Sequence, residues 1–200
     1  MSFPKEYIYD ENDLPPGSGW DIPAILRELA QGRMPSDFAK FFDRDPERRP
    51  PEREDVVVSP ADGILELKPA PNAPARFVIH LRVTDVHVQR VPLAGTVREV
   101  LREGSGHFYP DDERYWGGVQ AVTTVESRLG IYIVRQLTTL VTRRIENYLQ
   151  PGSAVRTGDR LGRIRLGSTV TLDLPGRWKP VARTGQKVVA GETLLAEFLP

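Results

Sequence analysis

A short phrase occurs twice in the chain. "GSAVRTGDRL" from Gly152 and "GQKVVAGETL" from Gly185 share Gly, Val, Gly, an acid and Leu at identical spacing. "PADGIL" from Pro60 is answered in the same way by "PLAGTV" from Pro92. Self-similarity at a separation of about 30 residues marks a duplicated supersecondary unit, which buries its apolar residues against its own copy. Glycines this close together punctuate turns and leave no room for a helix between them. The chain from Val56 onward agrees. "DVVVSPADGILEL", "RFVIHLRV", "VQRVPLAGTVREV", "VQAVTTVES" and "GIYIVRQL" are rich in Val, Ile and Thr and bounded by Gly and Pro, the pattern of short strands.

One segment breaks that pattern. In "LTTLVTRRIENYL", Leu137, Leu140, Val141, Ile145 and Tyr148 fall at helical spacing, with Arg143 and Arg144 beside the stripe and Pro151-Gly152 as a stop. This predicts one crossing helix. Residues 1–51 read differently from the rest. Asp21 is a cap for a short helix bearing Ile22, Ile25, Leu26 and Leu29, and Ser36 for a second bearing Phe38, Phe41 and Phe42. "DRDPERRPPERED" then reads as an extended, charged connector stiffened by proline. The expected division is an N-terminal extension, 1–51, and a β-rich domain, 52–200. The repeated phrase resembles the turn-and-strand unit of barrel-sandwich hybrid folds, such as lipoyl and biotinyl domains, without their lysine swivel. The predicted class is therefore mainly β (α+β): a duplicated barrel-sandwich-hybrid-like domain with one crossing helix and a helical N-terminal extension.

Composition removes several function classes. Formal net charge is zero, so no global field draws the protein to nucleic acid. The absence of cysteine excludes disulfides, thiol catalysis and thiolate-bound metals. The three histidines, His80, His87 and His107, show no zinc-ligand spacing, so no metal is expected. No apolar run approaches the roughly 20 residues that span a bilayer, and no signal peptide is read at the start. The expectation is a cytoplasmic protein whose membrane contact is peripheral.

Chemistry enters at "GRIRLGSTVTLDLP", where a Gly-Ser step sits inside a strand pattern. A strand glycine by itself marks a bulge or a close backbone approach. Asp62 precedes Gly63, a hairpin-turn signal when taken alone. His87 lies in an alternating strand, where a structural role is the ordinary reading. His80 is read as structural. Arg143 and Arg144 are either a solvated face or a phosphate contact. His107-Phe108 falls in a loop able to wall a site. The helix with Phe38, Phe41 and Phe42, near Lys40, Arg44, Arg48 and Arg49, either lies in a membrane interface or packs on the β core.

Taken together, "FFDRDPERRP", "VVVSPADG", "DVHVQRVPLAGTV", "QLTTLVTRRI" and "GRIRLGSTVTLDLP", in that order, resemble the short form of the phosphatidylserine decarboxylase family. The likeness runs from about Phe41 to Pro175. It implies decarboxylation of phosphatidylserine to phosphatidylethanolamine by a chain that cleaves itself between Gly167 and Ser168. Ser168 would become a covalent pyruvoyl group, the cofactor, and the products would be a β chain ending at Gly167 and an α chain beginning at 168. Asp62 and His87 match the family's residues that orient and activate the serine, and His87 is the candidate acid for the decarboxylation step. Arg90, His107, Phe108, Arg143 and Arg144 are weaker candidates for substrate contact. Two departures stand out: Gln89 replaces an Asn, and Arg90 stands where longer members carry a second histidine.

The implied partner is phosphatidylserine in a membrane surface, on the inner face of the cell membrane. No nucleic acid is implied, and a homo-oligomer is left open. Two other readings remain at this stage: a pyruvoyl decarboxylase of another amino-acid-derived substrate, and a non-catalytic β module that binds a partner through its Phe-rich extension.

Overall fold

A computed structural model describes residues 8–70, 73–108, 112–139, 144–165 and 168–200. The N-terminal part holds a 3-10 turn at Glu11–Asp13 and two helices, α1 (Ile22–Ala30) and α2 (Ser36–Phe42). Asp21 caps α1 as expected, its carboxylate accepting from the Ala24 N–H at 3.1 Å. Ser36 does not cap α2. It is the first helical residue, the extended Pro35 precedes it, and no side chain closes that end. Burial holds α2 instead. Phe38 and Phe42 are fully buried in a cluster with Tyr9, Ile22, Ile25, Leu29 and Val83. Trp20 meets Phe38 edge-on at 5.4 Å. A fully buried Phe contributes about 1.5–3 kcal/mol. Of the two readings of this helix, packing is the one observed for Phe38 and Phe42. Phe41 is half-buried beneath the Arg44 guanidinium, 3.8 Å from its ring centre.

The remainder is mainly β. Strands β1 (Val56–Val58), β2 (Gly63–Ala70), β3 (Ala73–Leu81), β4 (Val88–Arg90) and β5 (Gly95–Glu103) lead to a 3-10 turn at Glu113–Gly117. Then come β6 (Gln120–Ser127), β7 (Gly130–Leu137), β8 (Ile145–Asn147), β9 (Ala154–Val155) and β10 (Arg160–Ile164). The last are β11 (Ser168–Asp173), β12 (Trp178–Pro180), β13 (Lys187–Val188) and β14 (Leu194–Phe198). Among the described residues, the strands form three sheets, ordered β1-β14-β12, β4-β10-β8 and β13-β2-β3-β11-β7-β6-β5-β9. The core between them includes Leu65, Phe77, Ile79, Val97, Val125, Leu161, Val170 and Leu195.

The sequence echoes are structural equivalents. Gly152 and Gly158 have φ of 87° and 86°, Gly185 and Gly191 of 83° and 77°, so each phrase needs glycine at both turns. The Gly152 N–H donates to Val97 O and the Val97 N–H to Ser153 O, at 2.8 and 2.9 Å. The Gly185 N–H and Leu65 N–H repeat this with Leu65 O and Gln186 O, again at 2.8 and 2.9 Å. The second turns match as well. Gly158 and Asp159 bracket Val91, and Gly191 and Thr193 bracket Ser59. Gly63 pairs with Val188 and Gly95 with Val155. A Cβ on Gly63 would lie 2.3 Å from His80 O, and one on Gly95 2.4 Å from Glu126 O. Both glycines are therefore places of close backbone approach.

The crossing helix is corrected. Leu137 ends β7, Ile145 opens β8, and Tyr148 is 47% exposed instead of sharing a buried stripe. Leu140, Val141 and Arg143 lie outside the described residues. The segment is rich in Thr and Val, whose branched side chains favour strand, and tertiary pairing overrides the helical spacing. Leu137 pairs with Gln120 on one side and Thr169 on the other.

Candidate active site

The predicted cleavage point joins two sheets. Strand β10 ends at Ile164, and β11 opens at Ser168 in the large sheet, paired with Leu81. Leu166, Gly167 and the Ser168 side chain lie outside the described residues. His87 stands beside the approach to this point. The Ile164 N–H donates to His87 O at 3.3 Å, and Val88 pairs with Arg163. Thus the peptide of His87 is tied to the strand that runs through Arg165 into the Gly-Ser step.

The His87 ring is fully buried, 4.1 Å between centroids from Phe42 of α2. Its Nδ1 is 2.9 Å from Asp85 O. A carbonyl only accepts, so Nδ1 carries the proton and Nε2 the lone pair. That Nε2 is buried with no hydrogen-bond partner among the described residues. Burial, helped by the charges of Arg44 and Arg163 and opposed by the Asp85 bond, lowers the imidazole pKa to about 3. The ring is therefore neutral near pH 7 and presents a base, not a cation.

Asp62 lies at the entry of β2. In the sheet order β2-β3-β11, Gly63 and Ser168 flank the Leu81 end of β3. Two interstrand spacings put them on the order of 10 Å apart. The Asp62 carboxylate is mostly buried. It accepts from Arg48 Nη2 at 3.0 and 2.9 Å and from the Ala190 N–H at 2.8 Å. Burial raises its pKa, the Arg48 charge opposes the rise, and Asp85 adds to it. Asp62 thus precedes the strand two places from β11, and His87 precedes β4, which pairs with β10. Among the described residues they share no hydrogen bond: Arg48 engages the first, and the Asp85 carbonyl orients the second.

The weaker candidates divide: His107 bonds Thr138, which follows Leu137, the partner of Thr169, and so lies beside Ser168, while the other described ones are engaged away from it. Arg90 donates to Asp45, to Gly158 O and to Pro46 O, anchoring the connector. His107 Nδ1 is 2.8 Å from the Thr138 hydroxyl, and Phe108 carries the Arg114 guanidinium 4.6 Å above its ring centre. Arg144 is exposed and pairs with Glu146 at 3.0 Å. Arg143 lies outside the described residues. His80 pairs with Glu66 at 2.9 Å. Sequence reasoning missed Arg48, Phe42 and Asp85 as neighbours of the candidate pair. Only the D-x-H spacing of Asp85 could have flagged one of them.

The sequence profile of the family described as phosphatidylserine decarboxylase matches residues 36–196. A phosphatidylserine decarboxylase proenzyme from Solibacter usitatus is 37% identical over 180 residues, covering 89% of this chain and 83% of its own. One from Geobacter sulfurreducens is 34% identical over 184 residues, covering 88% and 84%. A putative archaetidylserine decarboxylase proenzyme from Methanosarcina barkeri is 31% identical over 163 residues, covering 80% and 76%. No solved structure matches.

Proposed function

The chain belongs to the phosphatidylserine decarboxylase family, and we propose that it is a proenzyme that cleaves itself at Gly167-Ser168 and then converts phosphatidylserine to phosphatidylethanolamine. The observation that carries this reading is His87. It is a buried imidazole with a preset tautomer and an unpartnered Nε2, tied through its carbonyl to the strand entering the Gly-Ser step. A serine hydroxyl is a weak nucleophile and needs such a base.

In the reaction we propose, the Ser168 hydroxyl loses its proton to His87 and attacks the Gly167 carbonyl. An ester forms as the amide C–N bond breaks, and the proton passes to the freed nitrogen. Removal of the residue-168 α-proton with cleavage of the C–O bond releases the Gly167 carboxylate and leaves dehydroalanine. Water then displaces ammonia, so the α chain begins with a pyruvoyl group and the β chain ends at Gly167. Asp62 is ionised in this scheme and helps to orient the reacting groups.

The residues fit the pyruvoyl group, since position 168 opens a strand and a buried nitrogen without a partner lies on the adjoining segment. Once formed, that group supplies the electron sink for loss of CO2. His87, packed against Phe42, would limit water there, and its Nε2 lone pair would pass to the product carbon a proton given up by the substrate amine. Arg144, Arg143, His107, Phe108 and Arg90 remain candidates for contact with the lipid head group, Arg90 with least room because the connector occupies it. We keep the division at residue 51 and read the duplicated halves as a barrel-sandwich-hybrid-like arrangement, supported by their matching hydrogen bonds.

Among the described residues no helix is long and apolar enough to cross a membrane, and we propose peripheral attachment to the inner face of the cell membrane. A second reading keeps the same chemistry with another serine-containing lipid, because one relative is named as a putative archaetidylserine decarboxylase. Denaturing mass spectrometry tests cleavage. Two fragments are expected, the smaller reactive toward hydrazines, with Ser168→Ala remaining whole; an intact native chain would sink the proposal. Release of CO2 from labelled phosphatidylserine in liposomes tests the substrate.

A further inference from the structure

We propose that Arg48, on the connector, is a positioning residue for self-cleavage, holding the Asp62 carboxylate ionised and in a fixed orientation. This rests on the reading of Asp62 given above. Arg48 and Asp62 side chains are only 10% and 14% exposed and meet at 2.9 Å. One Arg48 nitrogen contacts both carboxylate oxygens, and the Ala190 N–H fixes Oδ1 from the other side. The carboxylate is thus held from the connector and from the β13–β14 turn.

The connector's course delivers Arg48 to this place. It passes against a glycine turn of each half: a Cβ on Gly158 would strike Pro50 at 2.3 Å, and one on Gly191 would lie 3.4 Å from Arg48 Cβ. The Arg49 N–H donates to Glu192 at 2.9 Å. The two neighbouring cations have other duties. Arg44, at the end of α2, donates to Phe41 O and Thr84 O, and Arg90, on β4, is engaged by Asp45 and Pro46 O. Arg48 is the cation that touches Asp62 among the described residues. Asp85, on the β3–β4 loop, adds a negative charge to the same neighbourhood. Without its guanidinium the buried carboxylate would bind a proton more readily, the charge of Arg44 being the remaining counterweight.

The test follows the full chain, made in a pulse by cell-free synthesis and chased at pH 5 to 9, with cleavage read by mass. Arg48→Gln is expected to slow cleavage about tenfold or more at pH 7. It should also move the acid limb of the rate profile upward by about one pH unit or more, since an adjacent opposite charge lowers a carboxyl pKa by 1–3 units. Arg48→Lys, which keeps the charge but not the fork, should recover part of the rate and most of the limb. Arg53→Gln, a surface connector change, should behave as wild type.

Three results would overturn the inference: Arg48→Gln with the wild-type profile; slowing that is uniform across pH and unrelieved by lysine; or faster cleavage. Asp62→Asn with the wild-type rate would also remove its basis. An uncleaved wild-type chain would instead sink the function itself, and the two failures are distinguishable in one experiment.

Discussion

The two halves of the repeat share a backbone frame and differ in what they do with it. At the strand entry, the Phe198 N–H donates to Asp55 O in the first half, and the Ile164 N–H to His87 O in the second. Asp55 is exposed and pairs with Arg53, whereas His87 is fully buried beneath α2. At the next turn the contrast reverses. Asp62 of the first half accepts from the Ala190 N–H, while in the second half the Thr157 hydroxyl accepts from the Ala94 N–H at 3.0 Å. A hydroxyl therefore suffices to close this turn. The buried carboxylate carries a desolvation cost that a turn does not require, a cost that the proposed role in self-cleavage would account for. Each half supplies one member of the candidate pair, and its counterpart in the other half is a structural residue.

That contrast is easiest to break at Asp62. Asp62→Asn keeps the shape and an acceptor for the Ala190 N–H, yet self-cleavage is expected to fall by about a hundredfold or more, the usual scale of acid–base assistance. Adding Ala94→Asp, which puts the carboxylate in the equivalent place of the other half, should restore nothing, because Arg48 and His87 do not face it. Recovery of fragment formation in the double variant would end the argument that the halves have diverged. The next effect is the acid response of His87. Its pKa is about 3 when folded, against the ordinary 6.5. The unfolded chain therefore binds one more proton between these values, and stability is lost as pH falls through this window, by up to about 1.4 kcal/mol per pH unit. In urea titrations of the uncleaved Ser168→Ala chain, His87→Gln should flatten that slope. An unchanged slope would show that the imidazole is not held neutral.

These contrasts were unevenly legible in the sequence. The duplication was plain, because the demand for φ above zero at Gly152, Gly158, Gly185 and Gly191 is local and writes itself into residue type. The amphipathic α1 was equally direct. The segment after Leu137 misled, since its helical spacing says nothing of the pairings that hold Leu137 and Ile145 in strands. Asp62 and His87 emerged from a resemblance, not from their own neighbours, which read as a turn and a strand. Arg48 was invisible. A run such as "DRDPERRP" looks like a solvated linker, and only the path between the two glycine turns brings its guanidinium to Asp62.

Smaller effects sharpen the same comparison on the structural side. Thr157→Ala removes the hydroxyl that accepts the Ala94 N–H and should cost about 1 kcal/mol, the net worth of one such bond. Self-cleavage should stay within about twofold of wild type, because the contact serves the turn alone. A hundredfold loss would mean that the second half's turn takes part in the chemistry after all. Asp55→Asn is expected to do least. Its carboxylate is exposed, and its pKa is lowered mainly by the Arg53 hydrogen bond, a contact that water and salt largely replace. The melting temperature should be indistinguishable from wild type in moderate salt, with cleavage unaltered. The decisive comparison is with His87, which occupies the equivalent backbone position. If changing the exposed member of the pair impaired cleavage as changing the buried one is expected to, burial under α2 would not be what distinguishes the two positions in the proposed chemistry.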